Sequence, residues 1–153
     1  MIEERLDEMG ITLPESPVPP AGSYVPFVRV GSLLYVSGQI PIRNGIIEFT
    51  GKVSDKNITR AQESARLCAI NTLAQAKSGL GSLERVERII SLTGFVNSVP
   101  DFTQHPKVIN AASDLLVEIF GSSRGSHSRA AVGVASLPLG VMTEISSIIL
   151  ARD

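Results

Sequence analysis

Residues 128–151 read Ser-Arg-Ala-Ala-Val-Gly-Val-Ala-Ser-Leu-Pro-Leu-Gly-Val-Met-Thr-Glu-Ile-Ser-Ser-Ile-Ile-Leu-Ala, and this stretch decides the fold. Its small and β-branched residues predict two strands, 130–135 and 141–151, because such side chains suit a pleated surface. Between them Pro138-Leu-Gly140 turns the chain. The second strand is apolar on both faces around Ile148–Leu150, which is typical of a strand covered on both sides.

Just upstream, residues 108–120 are predicted to form an amphipathic helix, because their apolar residues recur at i, i+3, i+4 and i+7. These residues are Val108, Ala111, Ala112, Leu115, Leu116, Ile119 and Phe120. A Ser/Gly-rich loop over 121–128 is expected to connect this helix to the strand that follows.

A second helix is predicted over 58–77, with Thr59 and Gln62 spaced as a capping box. Gly79 and Gly81 are expected to end it. It carries small residues at helical spacing, namely Ala61, Ala65, Cys68, Ala69, Thr72 and Ala76. Such a stripe lets a helix approach a sheet closely.

Further strands are predicted at Tyr24–Val30 and Leu33–Ser37, joined as a hairpin by Gly31-Ser32. Another strand is predicted at Arg88–Val96, and Ile46–Phe49 can add a short one. This order of elements predicts an α+β two-layer sandwich, a mixed β-sheet with two helices on one face. The uncovered face is rich in apolar residues, so we expect it to bind partner subunits.

The N-terminal segment is predicted to differ from the rest. Residues 2–9 have a helical pattern, and 13–20 form an extended linker because four prolines fix the backbone there. We therefore divide the chain into residues 1–20, a helix with a Pro-rich linker, and residues 21–153, a single domain.

Composition excludes several classes of function. Of 153 residues, 43% are hydrophobic, and the net charge is −1 with no basic cluster, so nucleic acid is not expected as a partner. Cys68 is the single cysteine, which favours a reducing compartment and a cytoplasmic location. The first residues lack the pattern of a signal peptide, and no run of about 18 apolar residues predicts a membrane span.

Metal and cofactor sites are poorly supported by the sequence. Two histidines and one cysteine lie at no ligand spacing, and no phosphate-binding glycine motif occurs, so we expect neither a metal nor a cofactor. Cys68 is interpreted as a small core residue and His105 as part of a surface loop. His127 can either cap a loop or face a binding pocket.

Arg129 and Glu144 are the strongest candidates for chemistry. If the two last strands pair in antiparallel fashion, the two charges come within reach of each other. They can then form a structural ion pair. Alternatively, the guanidinium binds a carboxylate ligand and the glutamate orients or deprotonates a water. The residues alone leave both interpretations open.

From Tyr24 onward the chain resembles the RidA/YjgF family of reactive-intermediate deaminases, also called endoribonuclease L-PSP. The motifs that carry the resemblance are Tyr24, Val-Ser37-Gly38-Gln39-Ile-Pro41, Phe-Val-Asn-Ser-Val-Pro-Asp-Phe (95–102), Ile-Asn110-Ala, Arg129-Ala-Ala-Val-Gly-Val-Ala-Ser-Leu-Pro138 and Glu144-Ile. The resemblance implies a chorismate-mutase-like fold, a homotrimer, and clefts between subunits.

The same resemblance implies hydrolysis of 2-imino or enamine acids, such as 2-aminoacrylate, to 2-keto acids and ammonia. Arg129 then corresponds to the residue that binds the substrate carboxylate, and Glu144 to the residue that positions the attacking water. Tyr24, Ser37, Gly38 and Asn110 correspond to cleft residues, and Ala131 to a position whose backbone helps to hold the imine. His127 is added as a candidate substrate contact.

The chain also departs from the family pattern and looks like a divergent branch. Residues 103–109 and 121–128 look longer than in close relatives, Ser126-His127-Ser128 replaces a proline before the arginine, and Ser146 replaces a second acidic residue. The physiological substrate is thus left open. Two other functions are considered, a non-catalytic trimer that senses a small carboxylate such as a keto acid, and an endoribonuclease or translation inhibitor.

Overall fold

The computed structural model describes all residues from Met1 to Asp153. In chain order the elements are α1 (Ile2–Glu8), β1 (Phe27–Val30), β2 (Leu33–Gln39), β3 (Ile42–Arg43), β4 (Ile46–Ile47), α2 (Ile58–Leu80), a 3-10 turn (Leu83–Arg85), β5 (Val86–Asn97), α3 (His105–Gly125), β6 (Ser128–Val134), a second 3-10 turn (Pro138–Gly140) and β7 (Thr143–Ala151). None of the helices has the length and apolar character needed to cross a membrane.

One five-stranded sheet organises the molecule, in the order β1-β2-β7-β5-β6. Strands β5 and β6 run parallel, and the other neighbours are antiparallel. The parallel pair requires a crossover connection, which α3 supplies. β3 and β4 form a separate two-stranded ribbon. The predicted α+β sandwich with a mixed sheet is confirmed.

Helices α2 and α3 pack side by side against one face of the sheet. The side chains between these layers are fully buried, including Leu34, Leu73, Leu92, Ile109, Leu116, Ile145 and Ile149. Burying each of them stabilises the fold by about 1.5–3 kcal/mol relative to exposure. Since both helices lie on this face, the core also fixes which sheet residues point away from it.

The opposite face of the sheet carries no helix and keeps apolar side chains in solvent. Val28, Tyr35 and Val132 are each between 43% and 49% exposed there. Val28, Tyr35 and Ile148 lie in one row across three strands. A contiguous apolar patch of this kind is typical of a protein contact surface. That a partner subunit covers it stays a prediction.

The predicted ends of α2 are partly wrong. The helix continues through Gly79 to Leu80 and ends at Gly81, which has a left-handed backbone with φ 84°. A Cβ on Gly79 would lie 3.1 Å from the Phe27 ring and 3.2 Å from Leu34, so the glycine permits close helix–sheet packing. The N-cap is Asn57, without a side-chain capping bond, so Thr59 and Gln62 do not form the expected box.

Helix α3 begins earlier than predicted and has a second, short helical part after its predicted end. His105 is its first residue, whereas a surface loop was expected. The expected loop over 121–128 is helical as far as Gly125, with one interruption at Gly121, where φ is 81° and ψ 165°. The helix predicted over 108–120 thus breaks at Gly121, close to its predicted end, and a short second helix follows within the expected loop.

The N-terminal segment packs into the same core as the rest of the chain. Ile2, Leu6 and Ile11 are buried and belong to the main hydrophobic cluster. Residues 13–20 contain neither helix nor strand. They lead from α1 toward the end of the sheet at which β2 and β7 meet.

Candidate active site

Arg129 lies on β6, the strand at one edge of the sheet. It pairs with Leu92, a buried residue under the helices, so its side chain points to the helix-covered face. There it meets α3. We call the group of Pro106, Asn110, Ser113, His127 and Arg129 the arginine half-site.

Three neutral acceptors hold the Arg129 guanidinium. Nη1 donates to Asn110 Oδ1 at 2.9 Å and to Ser113 Oγ at 3.0 Å, and Nη2 donates to the Pro106 carbonyl at 3.3 Å. No acidic side chain forms an ion pair with it. A guanidinium has five N–H donors, so Nε–H and one Nη2–H have no acceptor in the chain. Paired N–H donors of this kind match the two oxygens of a carboxylate.

His127 contacts this arrangement through Ser113 and is itself bonded to the backbone of Gly125. Its Nδ1 donates to the Gly125 carbonyl at 2.7 Å, so the neutral ring accepts at Nε2 from Ser113 Oγ at 2.9 Å. Ser113 therefore accepts from Arg129 and donates to His127. The bond to the Gly125 carbonyl agrees with the first sequence interpretation, in which His127 caps a loop, and direct contact with a ligand stays a prediction.

Asn110 and Ala131 lie beside Arg129, in agreement with the positions that the family resemblance implies for them. Asn110 is an exposed residue of α3, and its amide oxygen is occupied by the guanidinium. Ala131 follows Arg129 by two residues, faces the same side of β6 and packs against the core. Both lie on the same α3–β6 edge as the arginine.

Glu144 lies in a different part of the molecule, on β7. Its neighbours Thr143 and Ile145 are buried under the helices, so its side chain leaves the opposite face of the sheet. The carboxylate fits only because residue 38 is glycine: a Cβ there would overlap Glu144 Oε2 and lie 2.9 Å from its Cδ. We call Tyr24, Ser37, Gly38 and Glu144 the glutamate half-site.

The Glu144 carboxylate is half-buried and accepts no hydrogen bond from the chain. Burial disfavours the charged form and raises the pKa of Glu144. A carboxyl with a raised pKa exchanges protons more readily near neutral pH than an ordinary surface glutamate does.

A cavity of about 80 Å³ opens beside this carboxylate. Tyr24, Ser37 and Gly38 line it together with the segment 18–21 and Leu139. Ser37 Oγ donates to the Val25 carbonyl at 2.7 Å, and Tyr24 Oη accepts from the Ala21 N–H at 3.3 Å. The motif residues Tyr24, Ser37, Gly38 and Glu144 are therefore brought together around one cavity.

The expected pairing of Arg129 with Glu144 is wrong within one chain. β5 lies between β6 and β7, so the two last strands are not neighbours. Arg129 aligns with Leu92 and Glu144 with Phe95. From strand spacing and rise, their Cα atoms are about 14 Å apart, and the side chains leave opposite faces. The structural ion pair considered above does not form in the chain.

Cys68 lies in the core, apart from both half-sites. Cys68 is fully buried beside Thr143, and burial raises the pKa of its thiol to about 12, in keeping with a core residue. No group of three His, Cys, Asp or Glu side chains has the geometry of a metal site. Sequence reasoning missed Ser113 and Pro106, which become visible as partners of Arg129 only once α3 docks on β6.

A family model described as "YjgF/chorismate_mutase-like, putative endoribonuclease" matches residues 3–149. The match spans nearly the whole chain and carries both half-sites. The chain belongs to this family, and the predicted membership is confirmed.

Solved structures agree with this assignment. Atu1372 of Agrobacterium tumefaciens, of unknown function, is 47% identical with a TM-score of 0.88, over 99% of this chain and 94% of that one. A "putative endoribonuclease" of Shewanella oneidensis MR-1 is 34% identical with a TM-score of 0.92, over 98% and 99%. TdcF of Escherichia coli, solved with bound serine, is 28% identical with a TM-score of 0.64, over 92% and 99%.

Proposed function

We propose that the chain hydrolyses 2-imino or enamine acids to 2-keto acids and ammonia, at a site formed by two copies of the chain. One observation carries the proposal. Arg129 and Glu144 are oppositely charged, each lacks an ionic partner, and they leave opposite faces of one sheet. Unpaired, partly buried charges are costly unless a ligand or a second subunit completes them.

Arg129 binds the substrate carboxylate in this proposal. Its Nε–H and remaining Nη2–H are free. Its other N–H groups donate to Asn110, Ser113 and Pro106, and these bonds fix the guanidinium before a ligand binds. Preorganisation of this kind lowers the ordering cost of binding. The serine bound to TdcF, whose structure is similar to this one, also carries a carboxylate beside an amino-substituted carbon.

Glu144 positions and deprotonates a water in the same proposal. The water oxygen attacks the electrophilic imine carbon while its proton passes to Glu144. Glu144 returns this proton to the substrate nitrogen, which gives a carbinolamine. The remaining proton of the former water, now on its hydroxyl, then passes to the nitrogen through the same carboxylate as the C–N bond breaks, so ammonia leaves and the carbon becomes a ketone. One water is consumed for each ammonia released. The imine is already reactive, so correct placement supplies most of the rate gain.

Two copies are required because one chain cannot bring the two half-sites together. β6 is an edge strand, and the helix-free face carries exposed Val28, Tyr35 and Val132. A partner that covers this face can place its own half-site next to the one on this chain. We propose a homotrimer, in which cyclic symmetry repeats the composite site three times.

Ribonuclease activity, named for relatives, receives less support from this chain. A two-histidine acid–base mechanism is poorly supported within one copy, because the His127 ring contacts Ser113, which lies about 12 Å by helical rise along α3 from His105. Each ring is also engaged by a serine, Ser98 or Ser113. The third reading, a sensor that binds keto acids without turnover, is decided by the experiment below.

The direct test follows the fate of an imine. An amino-acid oxidase generates the 2-imino acid in the presence of semicarbazide, and semicarbazone formation is recorded with and without the protein. We expect wild type to suppress trapping and Arg129→Ala to lose this effect. Arg29→Ala is the matched control, since Arg29 is an exposed arginine that donates only to the Gly31 carbonyl. Binding of pyruvate without any effect on imine decay would favour the sensor instead.

The shared nature of the site has its own test. Arg129→Ala and Glu144→Gln are each expected to be inactive. When the two are co-expressed in equal amounts, about a quarter of the sites in random mixtures contain an intact arginine from one copy and an intact glutamate from the next. Recovery of about a quarter of wild-type activity supports a composite site. If the mixture stays inactive although mixed oligomers are isolated, both residues act within one chain and the proposal fails.

A further inference from the structure

We propose that a groove beside α2 binds a small phosphomonoester with an aliphatic body. Three segments wall this groove, here called the α2 groove: residues 10–15 after α1, residues 42–44 of the β3–β4 ribbon, and the part of α2 between residues 66 and 71. Neither Arg129 nor Glu144 lines it. The proposal is therefore independent of the deaminase function.

The α2 groove has the size of a small-molecule site. Its volume is about 530 Å³, within the ~300–1,000 Å³ that is typical of ligand pockets. The cavity beside Glu144, at about 80 Å³, is much smaller. A recess of about 170 Å³ adjoins the α2 groove and shares four of its lining residues, Arg43, Arg66, Leu67 and Ile70. The two arginines therefore lie where the two spaces meet.

These two arginines are poorly satisfied by the chain. Arg66 is half-buried and forms neither an ion pair nor a hydrogen bond. Arg43 forms one long contact, from its Nε to Glu48 Oε1 at 3.5 Å. A half-buried guanidinium without an acceptor is costly, so its retention beside a cavity favours an anionic ligand. Glu15 is the single acidic residue that lines the α2 groove, so positive charge dominates there.

Two guanidinium groups suit a phosphate better than a carboxylate. One arginine already pairs with both oxygens of a carboxylate through its parallel N–H donors. A phosphomonoester carries about −1.5 to −2 charge at pH 7 and three terminal oxygens. It can therefore accept hydrogen bonds from Arg43 and Arg66 at once.

The rest of the lining is largely aliphatic, and this defines the body of the ligand. The apolar side chains are Ile11, Leu13, Ile42, Leu67 and Ile70. No aromatic side chain lines the α2 groove, so the base of a nucleotide has nothing to stack on. An alkyl chain of a few carbon atoms can instead displace water from these side chains. Each methylene that it buries should tighten binding by up to about fourfold.

The walls of the α2 groove are fixed without a ligand. Asn71 is 1% exposed, and its Nδ2 donates to the carbonyls of Ile40 at 2.9 Å and Ile42 at 3.0 Å, which holds the ribbon against α2. On the other side, Ile11 is buried in the main hydrophobic cluster and anchors the segment after α1. A site formed in advance lowers the ordering cost of binding.

The test is calorimetric titration of the full chain with hexyl phosphate, hexanoate and inorganic phosphate. Hexyl phosphate should bind at one site per chain, and at least about tenfold more tightly than either of the other two. Hexanoate lacks the second charge and the third oxygen, and inorganic phosphate lacks the aliphatic body. No binding of hexyl phosphate, or equal affinity for hexyl phosphate and hexanoate, overturns the proposal.

Variants then locate the site. Arg66→Gln should weaken hexyl phosphate about tenfold or more. Thr12→Trp should also weaken it, because Thr12 is exposed and lines the α2 groove, so the indole fills the space while both arginines remain. Arg29→Gln is the matched control, since it removes the same charge from an exposed position on β1. Arg129→Ala should keep wild-type affinity.

Thermal unfolding of each variant identifies any loss of fold, and weaker binding is interpreted only in variants that unfold as wild type does. Full affinity in both Arg66→Gln and Thr12→Trp overturns the α2 groove as the site. An equal loss in Arg29→Gln shows a general effect of charge and overturns it as well. Loss of binding in Arg129→Ala assigns the phosphate to the arginine half-site, and the proposal fails.

Discussion

The two half-sites differ in the hydrogen bonding and burial of their charged side chains. Arg129 carries a permanent charge and is held by three neutral acceptors on an exposed edge. Glu144 carries a titratable charge, is half-buried and accepts no hydrogen bond from the chain. The arginine half-site therefore fixes the orientation of its charged side chain by hydrogen bonds. The glutamate half-site leaves both carboxylate oxygens without a hydrogen-bond donor from the chain.

This difference agrees with the two roles proposed above for Arg129 and Glu144. An anchor benefits from a fixed geometry and a charge that does not change with pH. A base benefits from a raised pKa and from contact with water instead of protein donors. The predictions below remove these features one at a time and run from the largest expected effect to the smallest.

Glu144→Gln tests the free carboxylate. The amide keeps the shape but cannot accept the proton of water, so kcat should fall by about 10²- to 10⁴-fold. Steady-state rates from the semicarbazone assay measure the loss. Glu118→Gln, at an exposed position of α3, is the control and should retain wild-type rates. An active Glu144→Gln would remove Glu144 from the chemistry.

Arg129→Lys tests whether binding needs the planar guanidinium of Arg129 in its fixed orientation. A lysine keeps the charge but cannot donate two parallel hydrogen bonds to a carboxylate. It also loses the hydrogen bonds that Arg129 makes to Asn110 and Ser113. We expect kcat/KM to fall about 10²-fold, mostly through a higher KM. Arg29→Lys is the control. If Arg129→Lys matches wild type, a positive charge alone suffices for substrate binding, and the hydrogen bonds to Asn110 and Ser113 have no function in it.

Gly38→Ala tests the space around Glu144. The added Cβ would lie 2.9 Å from Glu144 Cδ, so the carboxylate must move out of position. A displacement of this size should lower kcat about tenfold or more. Gly10→Ala is the control, since it strains a positive φ but meets no neighbour. It should lower the melting temperature without lowering kcat, and the reverse pattern would contradict this account.

Ser113→Ala tests the support behind the arginine. Arg129 would lose one acceptor and His127 its donor, while Asn110 and Pro106 still hold the guanidinium. Because the loss is one hydrogen bond among three, KM should rise by roughly 3- to 10-fold with little change in kcat. Ser123→Ala, at an exposed position, should behave as wild type. An equal loss in kcat would argue that Ser113 acts on the substrate directly.

The stability of Glu144→Gln relative to wild type should depend on pH. Burial raises the pKa of Glu144 in the folded state, so at low pH the carboxyl is neutral in both states and has no effect. As pH rises through the unfolded and then the folded pKa, wild type must ionise a buried group and loses stability. Melting temperatures across this range should therefore favour Glu144→Gln increasingly toward neutral pH. A constant difference would contradict the burial argument.

Much of the fold follows from local patterns. The hairpin at Gly31-Ser32, the strand near residues 88–96 and the amphipathic helix α3 are all confirmed. These elements depend on side-chain periodicity and turn residues, which act over a few positions. Errors occur where a longer-range contact overrides the local signal. Gly79 stays helical and lies close against Phe27, and a short second helix follows the break at Gly121 in a run of Ser and Gly.

The candidate site divides in the same way. The motifs identify most residues of each half-site but not Ser113 and Pro106. The structure brings Tyr24, Ser37 and Gly38 to Glu144 and Asn110 to Arg129. The relation between Arg129 and Glu144 was predicted incorrectly. A short turn between consecutive strands suggests a hairpin, but the parallel pairing of β6 with β5 follows from the α3 crossover. Strand order is a property of the whole sheet, so local sequence does not determine it.

By itself, the sequence determined that this protein is an α+β sandwich with an arginine and a glutamate in family motifs, because periodicity and residue chemistry are written locally. Only the tertiary structure decided that these two charges leave opposite faces, that the Glu144 carboxylate needs a glycine at residue 38, and that residues 18–21 line the cavity beside Glu144. The physical reason is distance along the chain. Contacts between remote segments depend on how buried layers pack, and packing is settled only when all the layers are in place.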